Sequence, residues 1–162
     1  MANYNRVIGK IVALNISKKK GIPKTNVKRV TLIENFGMEG DIHAGNWHRQ
    51  ISLLAKESIE KMRAKGLNVR PGAFAENITT EFLNLPELNI GDKIIAGDSE
   101  MEITQIGKEC HTKCAIYFSA GDCVMPREGI FARVLKGGIL NVDDEIKIIT
   151  QKVSVPEAVR ND

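Results

Sequence analysis

Leu88 to Ile106 reads LNIGDKIIAGDSEMEITQI. A Gly91-Asp92 turn opens it, and the apolar run KIIA (Lys93–Ala96) follows. SEMEITQI (Ser99–Ile106) then alternates Met101 and Ile103 with polar residues, and after a break in phase reaches Ile106. Alternation with a period of two marks a strand that is apolar on one face. Short strands punctuated by Gly-Asp turns point to an all-β domain. The rest of the chain agrees. Arg6–Ile16 and Val27–Glu34 are β-branched and read as strands, Gln50–Leu54 as a short buried strand, and Glu145–Thr150 as the last one. Gly72–Thr80 reads as a strand entered from a Pro71-Gly72 turn. Lys56–Lys65 is the clearest helix, with Ile59 and Met62 three apart, Ser58 in its early turns and Gly66 as its stop. Pro126–Leu135 is predicted to form a short helix ended by Gly137-Gly138. The expected fold class is mainly β, a β-barrel or sandwich with a few short helices.

At 162 residues, with 43% hydrophobic and 27% charged content, the chain is predicted to form one domain over residues 1–150, followed by a polar tail over 151–162. The net charge is +3 and the lysines are dispersed, so nucleic acid is not an expected partner. Lys18-Lys19-Lys20, followed by Lys24 and Lys28, falls in a loop, Ser17–Lys24, that reads either as a solvated face or as an anion-recruiting one. The N-terminus shows no secretory pattern and no apolar run is long enough to cross a bilayer, so a cytoplasmic protein with reduced thiols and no membrane partner is expected. Neither a P-loop nor a dinucleotide fingerprint is present.

Three elements carry candidate chemistry. The first holds every cysteine: Cys110, Cys114 and Cys123. Lys108, His111 and Lys113 surround the first two and favour thiolate, which is both the nucleophile and the metal ligand. A thiolate there can hold a persulfide or bind a soft metal, and cysteine is also a common core residue. Zinc is a further possibility, but Cys-x3-Cys lacks the second ligand pair of familiar structural sites. The second element is the glycine-rich loop Asn35–Arg49, in which His43, His48 and Arg49 offer an anion site; packed or exposed loop histidines are the simpler alternative. The third is Phe74-Ala75-Glu76-Asn77-Ile78, where Asn77 either binds a pterin or phosphate edge or hydrogen-bonds backbone.

These elements together resemble the MOSC domain, the C-terminal domain of molybdenum cofactor sulfurases, in its small stand-alone bacterial form. The matching residues are Gly40-Asp41-x-His43, Arg49 through Leu54, Pro71-Gly72-Ala73-Phe74-Ala75-Glu76-Asn77-Ile78, Gly91-Asp92, Glu102-Ile103-Thr104-Gln105 leading to Cys110, and Phe131-Ala132-Arg133-Val134-Leu135-x-Gly137-Gly138. The resemblance covers about residues 5 to 150 and implies a MOSC-type β-barrel that binds molybdopterin, the molybdenum cofactor.

By the same resemblance, Cys110 is the persulfide carrier or the molybdenum ligand, with Cys114 as the alternative thiol. His43, Arg49, Asn77, Lys108 and His111 are the implied cofactor-binding set. Partners would be a sulfur donor or electron-donor protein and a molybdoenzyme acceptor. The related amidoxime-reducing branch implies a second activity, reduction of N-hydroxylated compounds with a separate electron donor. Its arginine beside the asparagine falls at Ala75 here. A zinc-stabilised barrel that binds a protein partner is the third possibility. The family also carries an association with pyridoxal phosphate. The extra barrel part and the ferredoxin or aminotransferase-like modules of larger relatives are not expected in this chain.

Overall fold

The computed structural model describes residues 4–107 and 128–151. In chain order the elements are β1 (Tyr4–Ile16), β2 (Thr25–Val27), β3 (Arg29–Ile33), β4 (Gly37–Met38), β5 (Ile51–Ala55), α1 (Lys56–Ala64), β6 (Ile78–Glu81), a 3-10 turn at Leu85–Glu87, β7 (Lys93–Ala96), β8 (Ser99–Ile106), β9 (Ile130–Lys136), β10 (Gly138–Asn141) and β11 (Glu145–Gln151). Among the described residues, seven strands close a barrel in the order β11-β7-β8-β9-β5-β6-β1, and β1 pairs back onto β11. Strand β2 extends the sheet from β1, and β10-β3-β4 form a second, smaller sheet.

The mainly β reading of the sequence therefore holds, as a barrel. Closure removes the barrel's own open edges. Every strand pair is antiparallel except β5–β6, where Leu53 lies opposite Ile78. Two parallel strands begin at the same end. The loop that enters β5 and the turn that enters β6 are thus brought together at one rim.

Side-chain alternation divides the apolar residues into two clusters. Ile51, Leu53, Ile78, Met101, Ile103, Ile130, Ala132 and Val134 fill the barrel. Leu54 and Phe131 point to the other face, where Ile59 and Met62 of α1 pack on them with Val69 and Phe74. Met62 is fully buried, and its truncation to alanine is expected to cost roughly 2–5 kcal/mol. The helix closes where Gly66 takes φ +94 and donates its N–H to the Arg63 carbonyl.

The phase break foreseen in SEMEITQI is a register shift between Ile103 and Gln105, and past it Ile106 packs against the barrel core. Two expectations need correction. Residues 130–135, expected in a helix, form β9, which pairs with both β8 and β5; a strand apolar on both faces cannot be told from a helix by periodicity. Residues 72–77, expected in a strand, form a turn over 72–74 and then irregular chain, and regular pairing begins at Ile78.

Candidate functional site

The loop between β4 and β5 is organised around Asp41. Its Oδ1 accepts from the Ser17 N–H at 3.0 Å and from Lys24 Nζ at 2.8 Å, and its Oδ2 accepts from the His43 N–H at 3.1 Å. The Asp41 and Lys24 side chains are wholly excluded from water. Burial opposes ionisation of Asp41. The neighbouring His43 and Lys24 side chains, the Ser17 N–H and Asn77 outweigh it and hold the carboxyl well below the usual carboxylate range. Lys24 Nζ also lies 2.9 Å from His43 Nδ1.

Downstream, the loop folds over the outer face of the barrel. The Trp47 Nε1–H donates to the His43 carbonyl at 2.7 Å. The Arg49 guanidinium sits 4.7 Å from the centre of the Trp47 ring and 5.6 Å from that of Phe131. Its Nε is buried with no hydrogen-bond partner, and among the described residues no carboxylate pairs with it. A cation held by two ring faces is attracted by their negative quadrupoles, but the rings do not satisfy its Nε–H.

His48 ties the loop to the root of the cysteine-bearing segment. Its Nε2 is 2.8 Å from Gln105 Oε1, and its carbonyl accepts from Thr104 Oγ1. Gln105 Nε2 donates to the Gly107 carbonyl at 2.8 Å, and the Gly107 N–H donates to the Gly129 carbonyl at 2.6 Å. His48 is thus linked through Gln105 to Gly107, which precedes the span 108–127, and Arg49 lies against Phe131 of β9, which follows it. Cys110, Cys114, Lys108 and His111 lie in that span and so outside the described residues, as does Cys123. Among the described residues no group of three or more His, Cys, Asp or Glu is placed to hold a metal.

Asn77 is fully buried, with its amide engaged at both ends. Oδ1 accepts from the Ser52 N–H at 3.0 Å and Oγ at 3.1 Å, and Nδ2 donates to the Asn15 carbonyl at 3.3 Å. This is the backbone-bonding alternative weighed from the sequence, and it joins β5, β6 and β1. Glu76 is buried too. It gathers its own turn, accepting from the Gly72 N–H, the Phe74 N–H and Thr79 Oγ1. Burial pushes its carboxyl upward, against the pull of those donors. Gly72 takes φ +93, and a Cβ there would meet the Lys24 carbonyl oxygen at 2.6 Å.

Sequence reasoning missed Lys24, read as part of a loop's lysine run, together with Gln105 and Phe131 as supports of the site. A weak signal was present: Lys24 stands behind Pro23, apart from Lys18-Lys19-Lys20, and those three are exposed while Lys24 is not.

A family model described as the MOSC domain matches residues 39–147. The crystal structure of the YuaD protein from Bacillus subtilis is similar at 18% identity with TM-score 0.79, over 93% of this chain and 100% of that one. YiiM from Geobacillus stearothermophilus is similar at 23% identity with TM-score 0.66, over 88% of this chain and 75% of that one. YiiM from Escherichia coli matches at 19% identity with TM-score 0.65, over 91% and 72%. At these identities the structural likenesses show the fold alone. No curated protein matches the chain by sequence.

Proposed function

This chain belongs to the MOSC domain family, which is associated with the molybdenum cofactor, and we propose that it binds that cofactor through its phosphate at Arg49 and uses Cys110, with Cys114 as the alternative, as persulfide carrier or molybdenum ligand. The supporting observation is the state of Arg49. Its guanidinium is stacked between Trp47 and Phe131, carries a buried Nε–H with no partner, and is paired with no described carboxylate. An anionic group fits that donor set, because a charge-assisted bond satisfies a guanidinium N–H more strongly than a neutral acceptor does.

His43, in the same loop, presents a partly exposed ring, and Lys18, Lys19 and Lys20 next to Ser17 add an exposed positive field that recruits anions. Asn77 serves this site as a brace, holding Ser52 and the entrance to β5. Lys108 and His111, by their sequence position next to Cys110, would favour the thiolate. The bound cofactor would supply molybdenum as the redox-active or sulfur-accepting centre. The chain's own part is to hold the phosphate, keep the thiol ionised and carry the sulfur.

Metal and pterin analysis of freshly purified protein tests this reading. Molybdenum with fluorescent pterin in comparable amounts is expected. Stoichiometric zinc with no pterin would overturn it in favour of the zinc-stabilised barrel.

A further inference from the structure

The buried Lys24–Asp41 pair, with the half-buried His43 beside it, does more than hold a loop in place. We propose that Lys24 and Asp41 are positioning residues that lock His43 in a single tautomer, with Nδ1 accepting from Lys24 and Nε2–H offered outward as a hydrogen-bond donor to an oxyanion. The proposal rests on the reading of this rim as an anion site and adds to it the identity of the second donor and the residues that set it.

The Lys24 ammonium can donate but has no acceptor. His43 Nδ1 lies 2.9 Å from that ammonium and 3.6 Å from Asp41 Oδ2, beyond hydrogen-bond reach, so the ammonium takes its lone pair and the ring proton sits on Nε2. Asp41 pairs with that ammonium. The two are 2.8 Å apart and both wholly buried, so neither stands alone in the interior.

The main chain of His43 is fixed on both sides, its N–H by Asp41 Oδ2 and its carbonyl by Trp47 Nε1. The ring itself stays 26% exposed, and Nε2 has no hydrogen bond to any described residue. One indole joins the two donors. The Trp47 edge is bonded to the His43 carbonyl, and its face carries the Arg49 guanidinium. Both groups are then donors with no acceptor capacity. That pair selects an acceptor-only ligand such as a phosphate group. It selects against a metal cation at His43, since the Nδ1 lone pair is engaged and Nε2 carries a proton.

Two-bond proton–nitrogen correlation spectra of the full chain, labelled with 15N-histidine and without ligand near neutral pH, read the tautomer directly. His43 is assigned by its loss in His43→Gln. A single Nε2–H form is expected. An Nδ1–H ring, a mixture or a doubly protonated ring overturns the proposal, and this needs no Lys24 variant to fold. Lys24→Met, checked for folding, is expected to lose the single tautomer and to weaken the inorganic phosphate response at His43 by about fivefold or more. An unchanged tautomer in that variant, or no response of His43 to phosphate in the native chain, overturns it as well. The tautomer is read without cofactor, so absence of molybdenum from the purified protein would sink the cofactor reading and leave this result standing.

Discussion

Lys24 Nζ and Asp41 Oδ1 meet 2.8 Å apart in a place neither shares with solvent. Removing one partner strands the other as a buried charge. Lys24→Met is expected to cost about 3–5 kcal/mol. The double variant Lys24→Met/Asp41→Leu should lose clearly less than the two single losses added together. Urea denaturation of the four proteins measures this, and simple additivity would refute the coupling.

Asp41 also sets an acid limb. Its folded pKa is depressed, by hydrogen bonds that outweigh burial. The unfolded chain then binds a proton below about pH 3.9 that the folded chain refuses. Stability from this group is present above that pH and is lost as pH falls further. Glu76, raised by burial, contributes with the opposite sign, as stability present at low pH and lost as pH rises through its folded value. Between about pH 4 and pH 2.5, stability is expected to fall more steeply in the native chain than in Asp41→Asn. Parallel curves would show that Asp41 does not titrate in this way.

Arg49→Ala is expected to weaken binding of inorganic phosphate or cofactor by roughly ten- to a hundredfold, the equivalent of about 1.5–3 kcal/mol. Arg49→Lys should recover only part of it, because a compact ammonium does not stack between Trp47 and Phe131 as a planar guanidinium does. Calorimetric titration decides. A change of less than about twofold in Arg49→Ala would place the ligand elsewhere.

Gly72→Ala tests the joint between the Glu76 turn and the chain at Lys24, just before β2. The position needs φ +93, and the new Cβ would stand 2.6 Å from a backbone oxygen that cannot swing away. A loss of about 2 kcal/mol or more is expected, visible as a melting temperature lower by roughly 4 °C or more.

Alkylation at mildly alkaline pH is expected to label Cys110 or Cys114 faster than Cys123, because Lys108, His111 and Lys113 stand beside the first two in sequence. Cys110→Ser should abolish molybdenum or sulfane-sulfur retention and leave the melting curve in place. Equal labelling of the three thiols, or full retention in the serine variant, would move the assignment.

The sequence made the barrel legible because alternation survives closure. Met101 and Ile103 point inward as their spacing said, and even the phase break before Ile106 corresponds to a bulge. It misled where a segment is apolar on both faces, as at Ile130, Phe131 and Ala132, or where a turn is built from buried polar contacts, as around Glu76. Of the candidate site, the glycine-rich loop that carries His43 and Arg49 stood out in the sequence. Lys24 was not, because composition places lysine outside, and only the fold reveals that Asp41 and His43 are waiting for it. Nor does local pattern show that Phe131 and Gln105, both far along the chain, support the loop.

Trp47 is the chain's one tryptophan. Because its indole touches His43 at one edge and Arg49 across one face, emission excited at the red edge, where the two tyrosines do not absorb, originates within a few ångströms of His43 and Arg49. The chain thus carries its own optical probe. An arriving anion that pulls the guanidinium off the ring alters the quenching of a single fluorophore, and rapid mixing can follow occupancy in real time with no label attached.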